Sequence, residues 1–285
     1  MTSRLGRLGI WSLELRFGDP ASAAQAAGEI DELGYGAIWI PGGVGGDILA
    51  DIDRLLAATR SVTIATGVLN IWKHDPAEIG TWWKNLPADR RERVLLGLGV
   101  SHAHVVGQAF KPLSAMRDYL DRLNAAGVPG PALCLAALGP RMLELAAERT
   151  AGVHPYLVTP EHTSQARSAV GPDHLVAPEQ GVALGTDPVE ALERARAAYL
   201  HYKDYPNYRA NWQRLGFDKA QIEAGADNLV KALFAVGTAQ DVRQRLEAHF
   251  HAGADHVCLQ AVTGQGLDPT AALPAWRELA ELQTA

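Results

Sequence analysis

The chain has 285 residues, 47% of them apolar and 20% charged, and a net charge of −6. This composition suits a protein with a large buried core and excludes a global basic field for nucleic acid, so an anionic ligand must be held by local donors. No apolar run approaches the roughly 20 residues that span a bilayer, and no basic region leads into an apolar stretch near the N-terminus; a cytoplasmic location without membrane or nucleic-acid partners is expected. Leu8–Leu15 reads as a first strand, and Asp19 as cap with Pro20 in the first helical position opens a helix reaching Gly34. Tyr35–Ile40 is a second strand closed by Pro41-Gly42-Gly43, with a helix through Ile48–Arg60 after it. Val62–Ile71, rich in β-branched residues, is a third strand, and Asp75-Pro76 repeats the cap-plus-proline signal. Val94–Val100 is a fourth strand, followed by a helix near Leu113–Ala126.

The fifth unit starts at Leu133, in an apolar run that suits a buried parallel strand, and passes through Gly139-Pro140 into a helix bearing Met142, Leu145, Ala146 and Arg149. Val153–Val158 is a sixth strand, and Thr159-Pro160-Glu161 caps the helix after it. Leu175–Leu184 is a seventh strand region, with Asp187-Pro188 starting another helix. His256–Val262 is the eighth strand, preceded by a helix over Ala239–Ala252 and followed by one near Thr270–Leu282. Unbroken alternation predicts a parallel sheet, and eight strands in this length predict one α/β domain over 1–285, a (β/α)8 TIM barrel with its site at the carboxyl ends of the strands. Residues 199–236 exceed one helix length and hold Tyr199, Tyr202, Tyr205 and Tyr208, then Trp212 and Phe217. They predict a helical insertion that packs on the barrel or on a partner subunit, or acts as a lid over the site. Cys134 and Cys258 lie in apolar runs and read as buried small hydrophobes.

Several residues at the strand ends carry chemistry. Gly67 inside the third strand marks a bulge or a close approach of backbone to ligand. The fourth strand ends Gly97-Leu98-Gly99-Val100-Ser101-His102, and the sixth carries His154-Pro155-Tyr156. His102 is either a site residue or a loop histidine, and His154 either a site residue or a packed one. Glu179, in an apolar strand, is costly to bury alone, so it has a structural partner such as Arg141 or a catalytic role. The turn at Gly139 is an ordinary βα turn or, through free N–H groups and the helix dipole, an anion site. No G-x-G-x-x-G opens a helix after a strand, and H-E-x-x-H, C-x-x-C and G-x-S-x-G are absent, which disfavours metal and serine hydrolases; no metal is expected.

Ile64–Asn70, Leu96–His102, Ala136–Leu143, Val153–Thr163 and Gly253–Gln260, in this order, resemble the luciferase-like monooxygenase superfamily, and more narrowly its branch of oxidoreductases that use the deazaflavin coenzyme F420. The resemblance implies a (β/α)8 barrel, usually a homodimer, with the coenzyme ring in the carboxyl-end mouth. It implies a non-proline cis peptide at Gly67–Val68 and a phosphate held by the turn after the fifth strand. Cofactor contacts would then come from Gly42, Gly43, Gly67, Val68, Asn70, Ser101, Ala137, Leu138, Gly139, Pro140, Arg141 and Met142. Pro140 has no N–H, so the backbone donors to the phosphate are expected at Gly139, Arg141 and Met142, beside the Arg141 charge. The implied reaction is hydride transfer between coenzyme F420 and a small organic substrate. His102 is the expected proton donor or acceptor, with His154 and Glu179 in reserve. Trp11, Trp72 and Tyr156 are expected on the substrate wall, whereas Trp39 suits a core role as well. The alternatives are an FMN-dependent monooxygenase of the same fold and a non-catalytic protein that carries the coenzyme. One departure stands out: Pro41–Gly46 is glycine-rich where relatives have an acidic residue.

Overall fold

Alternation along each strand separates two cores. Ala37, Trp39, Ala65, Leu95, Cys134 and Cys258 pack together inside a ring of strands, while Ile38, Ile40, Ile64, Leu96, Leu133 and Leu259 face the surrounding helices. The computed structural model describes residues 5–43, 45–101, 107 and 110–283. Its strands are β1 Leu8–Trp11, β2 Ala37–Gly42, β3 Thr63–Asn70, β4 Val94–Gly99, β5 Leu133–Leu135, β6 Gly152–Val153, β7 Leu175–Val176, β8 Glu179–Leu184, β9 Phe234–Gly237 and β10 Val257–Ala261. All pair in parallel, in the order β7-β6-β5-β4-β3-β2-β1-β10-β8-β9.

β7 and β8 are two halves of the expected seventh strand. Proline at 178 has no N–H for the ladder, and the strand breaks at Ala177-Pro178. β10 pairs with the second half, and the segment just before it reaches the first: Cys258 N–H donates to Pro178 O at 3.1 Å and Asp255 N–H to Val176 O at 2.9 Å. The ring therefore closes as the (β/α)8 reading expects. β9 lies outside it, on the far edge of β8, and corrects the expectation that 199–236 is helical throughout. Two further expectations shorten. The first strand ends at Trp11, before a helical turn at Glu14–Phe17, and the sixth stops at Val153, before Pro155 and the left-handed Leu157 at φ 52°. The helix starts hold: Asp19, Asp75 and Asp187 each accept a first-turn N–H with proline next in line.

The ring interior is polar as well as apolar. The His154 ring stacks on Trp39 at 4.1 Å between centroids, and Trp39 Nε1 donates to His256 Nε2 at 3.1 Å. His256 Nδ1 in turn donates to Gly6 O at 3.0 Å. Burial holds both histidines down to about 4, so they are neutral at pH 7. The insertion forms helices Pro206–Arg214, Lys219–Ala224 and Asp227–Leu233. Tyr199, Trp212, Ile222 and Leu229 build a second core there, and Trp212 Nε1 donates to Leu157 O at 3.2 Å, which seats the insertion on the strand ends. Among the described residues no helix is long and apolar enough to cross a membrane.

Candidate active site

The site grows from an irregularity in β3. Its pairing slips against β2 between Ile40 and Gly42 and against β4 between Ala65 and Leu69, and the Gly67–Val68 peptide is cis. The slip pushes Val68 over β4, where only glycine leaves room. A Cβ on Gly99 would lie 2.5 Å from Val68 Cγ2, and one on Gly97 would collide with Thr66 O. The two glycines of the fourth strand therefore seat the bulge. Behind the bulge, Trp11 Nε1 donates to Gly67 O at 3.2 Å, and a Cβ on Gly42 would lie 2.8 Å from Val68 O.

In front of the bulge lies a cavity of about 300 Å³. Val68, Gly99, Val100 and Ser101 form one wall, and Ala136, Ala137, Leu138, Gly139 and Met142 form the side beside β5. Tyr156 and the insertion residues Asn207, Tyr208, Ala210 and Arg214 form the other. The insertion thus both packs on the barrel and roofs the cavity. Ser101 holds a left-handed φ of 58°, a conformation that a non-glycine residue adopts at a cost of about 1–3 kcal/mol, here at the cavity edge.

The helix Pro140–Arg149 points its N-terminus at one end of this cavity. Gly139 is its cap and no side chain caps it. Met142 N–H and Leu143 N–H both donate to Gly139 O at 3.1 Å. Met142 is thereby corrected as an expected anion donor, which leaves the N–H groups of Gly139 and Arg141. The Arg141 side chain is exposed and does not line the cavity. The cation at this end is Arg214, which no local signal in the sequence announces. Its Nη2 donates to Leu138 O and to Asn211 Oδ1, each at 3.0 Å. His162 Nε2 also donates to Leu138 O, at 3.2 Å, and burial holds that ring neutral by lowering it to about 4.

The remaining candidates divide. His102 lies outside the described residues. His154 is 1% exposed; its Nδ1 donates to Ala177 O at 2.8 Å, and its Nε2, facing Gly67, is buried with no partner. Glu179 is also 1% exposed, and its pairing with Arg141 is corrected: Oε2 accepts from Leu157 N–H at 3.2 Å and Oε1 has no partner. Burial pushes this carboxyl up to about 8. Both groups stand behind the cavity wall, not on it. Trp11 is buried against Tyr156 at 5.4 Å between ring centroids. Trp72, 38% exposed, donates from Nε1 to Val100 O at 2.8 Å, and Trp39 is fully buried. Gly42 and Asn70 are buried behind the bulge, Gly43 is exposed, and Asn70 Oδ1 accepts from Trp72 N–H at 3.0 Å. A buried arginine from the turn Glu14–Phe17 braces the glycine-rich loop. Arg16 donates to Pro41 O and Gly45 O and pairs with Asp51 at 3.3 Å. A separate cavity of about 460 Å³, lined by Leu5, Thr63 and His174, lies at the amino ends of the strands, away from this constellation.

Solved structures share this architecture. The coenzyme F420-dependent tetrahydromethanopterin reductase from Methanopyrus kandleri is similar at TM-score 0.74 and 15% identity, covering 97% of this chain and 99% of that one. An F420-dependent secondary alcohol dehydrogenase, in complex with an F420-acetone adduct, is similar at TM-score 0.70 and 16% identity, with 95% and 99% covered. The oxygenating constituent of 3,6-diketocamphane monooxygenase from Pseudomonas putida, in complex with FMN, is similar at 0.71 and 14%, with 98% and 97% covered. At these identities the likeness concerns the fold. No curated protein sequence matches the chain. The model of the luciferase-like monooxygenase family matches residues 7–256, and the protein belongs to that family.

Proposed function

We propose that the cavity between the β3 bulge and the insertion holds a deazaflavin, and that the protein is an oxidoreductase transferring a hydride between coenzyme F420 and a small organic substrate. One observation carries this reading: a single cavity has a backbone wall at Val68, Gly99 and Val100, an aromatic wall at Tyr156 and Tyr208, and an anion-ready end at Gly139 and Arg214. A flat apolar ring with a phosphate tail needs those three surfaces. The fit extends to Asn211, whose Oδ1 orients Arg214 while its Nδ2 is buried without a partner beside it. When bound, the deazaflavin supplies or accepts the hydride. The chain orients the ring, neutralises the tail and excludes water. His102, three positions after the last residue of β4 in the sequence, is the proposed proton donor or acceptor. FMN is the second reading, since the FMN-bound camphane enzyme shares the fold.

Titration of the purified protein with F420 and with FMN, followed by tryptophan fluorescence, tests the choice. F420 is expected to bind more tightly; binding of FMN alone moves the assignment to a flavin monooxygenase. F420 binding with no turnover across enones, imines and alcohols leaves a coenzyme carrier. The anion end makes its own prediction. Arg214→Ala should weaken FMN or F420 roughly tenfold and leave riboflavin, which lacks the phosphate, within about twofold. Arg141→Ala should change neither by more than about twofold, because its side chain faces solvent. The reverse ranking would return the charge to Arg141.

A further inference from the structure

Tyr156 belongs to two cavities. It lines the cavity just described and also borders a second, of about 510 Å³, beyond the carboxyl ends of β1 and β10. The second is walled by Leu13, Ala198, Phe234, Ala261 and Val262. Its polar corner is Tyr156, Tyr202 and Gln260: the Tyr156 hydroxyl donates to Gln260 Oε1 at 2.7 Å and lies 3.1 Å from the Tyr202 hydroxyl. One guanidinium and one carboxyl border it, both occupied, and the exposed His201 lines its edge. Arg194 pairs with Glu190 at 2.9 Å and donates to Leu184 O. Glu14 accepts from Ser12 Oγ at 2.6 Å.

We infer that this second cavity is the substrate compartment, and that it takes a neutral, largely apolar molecule whose one oxygen function, a carbonyl or a hydroxyl, meets Tyr156, Gln260 and Tyr202. The assignment rests on the reading of the first cavity as the coenzyme's, since Tyr156 lines both. Burial keeps the Tyr156 and Tyr202 hydroxyls protonated, so either can donate to a carbonyl, while Gln260 Oε1 accepts from a hydroxyl. Burial also raises the Glu14 carboxyl, which weakens its pull on a cation. A charged ligand would have to leave water without a free counter-charge to receive it, whereas a ketone or alcohol trades water for this corner.

Calorimetric titration without coenzyme tests this, using cyclohexanone, cyclohexanol, cyclohexanecarboxylate and cyclohexylammonium. The two neutral probes are expected to bind at least tenfold more tightly than the two ions. Tyr156→Phe should weaken cyclohexanone about three- to tenfold, the range of one hydrogen bond. Ala197 lines the opening on an exposed helix face, so Ala197→Trp should fold normally, weaken both neutral probes tenfold or more, and leave coenzyme affinity within twofold. Equal or tighter binding of either ion overturns the inference, as does neutral binding that ignores Ala197→Trp. Coenzyme affinity, measured on the same samples, is a separate readout. Loss of F420 and FMN binding with neutral-probe binding intact refutes the coenzyme reading alone.

Discussion

Gly97→Ala is expected to destabilise the protein by about 3 kcal/mol or more and to abolish coenzyme binding. Its new methyl group collides with Thr66 O, a backbone atom that also precedes the bulge, and Thr66 Oγ1 is already fixed to Gly97 O at 2.9 Å. Gly99→Ala should be milder, about 1–3 kcal/mol, because the obstacle is a methyl of Val68 at 2.5 Å. The difference is testable by rescue. Val68→Ala removes the obstructing methyl, so Gly99→Ala/Val68→Ala should recover a coupling of about 1 kcal/mol or more in urea denaturation. The same Val68 change should relieve Gly97→Ala far less, because Val68 Cγ1 stands 3.1 Å from the new methyl group but the backbone Thr66 O remains in its way. Failure to rescue Gly99→Ala would mean that Val68 is not what Gly99 accommodates, and full rescue of Gly97→Ala would mean that Thr66 O is not its main obstacle.

Glu179→Gln should make stability depend less on pH. The folded carboxyl, pushed up to about 8, lies above the value near 4.3 of an unfolded glutamate. A raised carboxyl contributes its full stability below about pH 4.3; the contribution is lost as pH rises and is gone above about pH 8. The complete shift corresponds to at most about 5 kcal/mol. Glutamine keeps an oxygen for Leu157 N–H and never ionises, so the variant should gain on the wild type by a few kcal/mol between pH 4 and pH 9. Its own unpartnered amide costs the same at every pH and drops out of that difference. A stability gap between the two proteins that stays constant over this range would show that Glu179 does not titrate in the folded protein.

The parts of the fold that could be read from residues are the local ones. Asp19-Pro20, Asp75-Pro76 and Asp187-Pro188 open helices because cap and proline act within one turn. The bulge at Gly67–Val68 was legible through resemblance, and Gly97 and Gly99 were visible as exceptions without their reason. That reason is a contact with a strand some thirty residues earlier in the chain. β9 escaped notice because Phe234–Gly237 is a short apolar run joined directly to the helix before it, and only pairing with β8 makes it a strand. Arg214 was illegible for a similar reason. It meets Leu138 across 76 positions, whereas Arg141, next in line to the turn, is exposed and does not line the cavity. Glu179 was legible as an anomaly, a carboxyl in an apolar strand; that it has no cationic partner was not.

The helix Pro206–Arg214 acts as a caliper. Tyr208 and Arg214 both line the proposed coenzyme cavity, and both are fixed to one short rigid rod that Trp212 fastens to the barrel. A rod cannot shorten or lengthen to suit its guest, so under the proposed function the span between aromatic jaw and cationic jaw would gauge the distance from ring to phosphate. A guest of the wrong length can satisfy one jaw at a time. Chemistry on the far side of Tyr156 can diverge freely, because the gauge is read off a different set of residues.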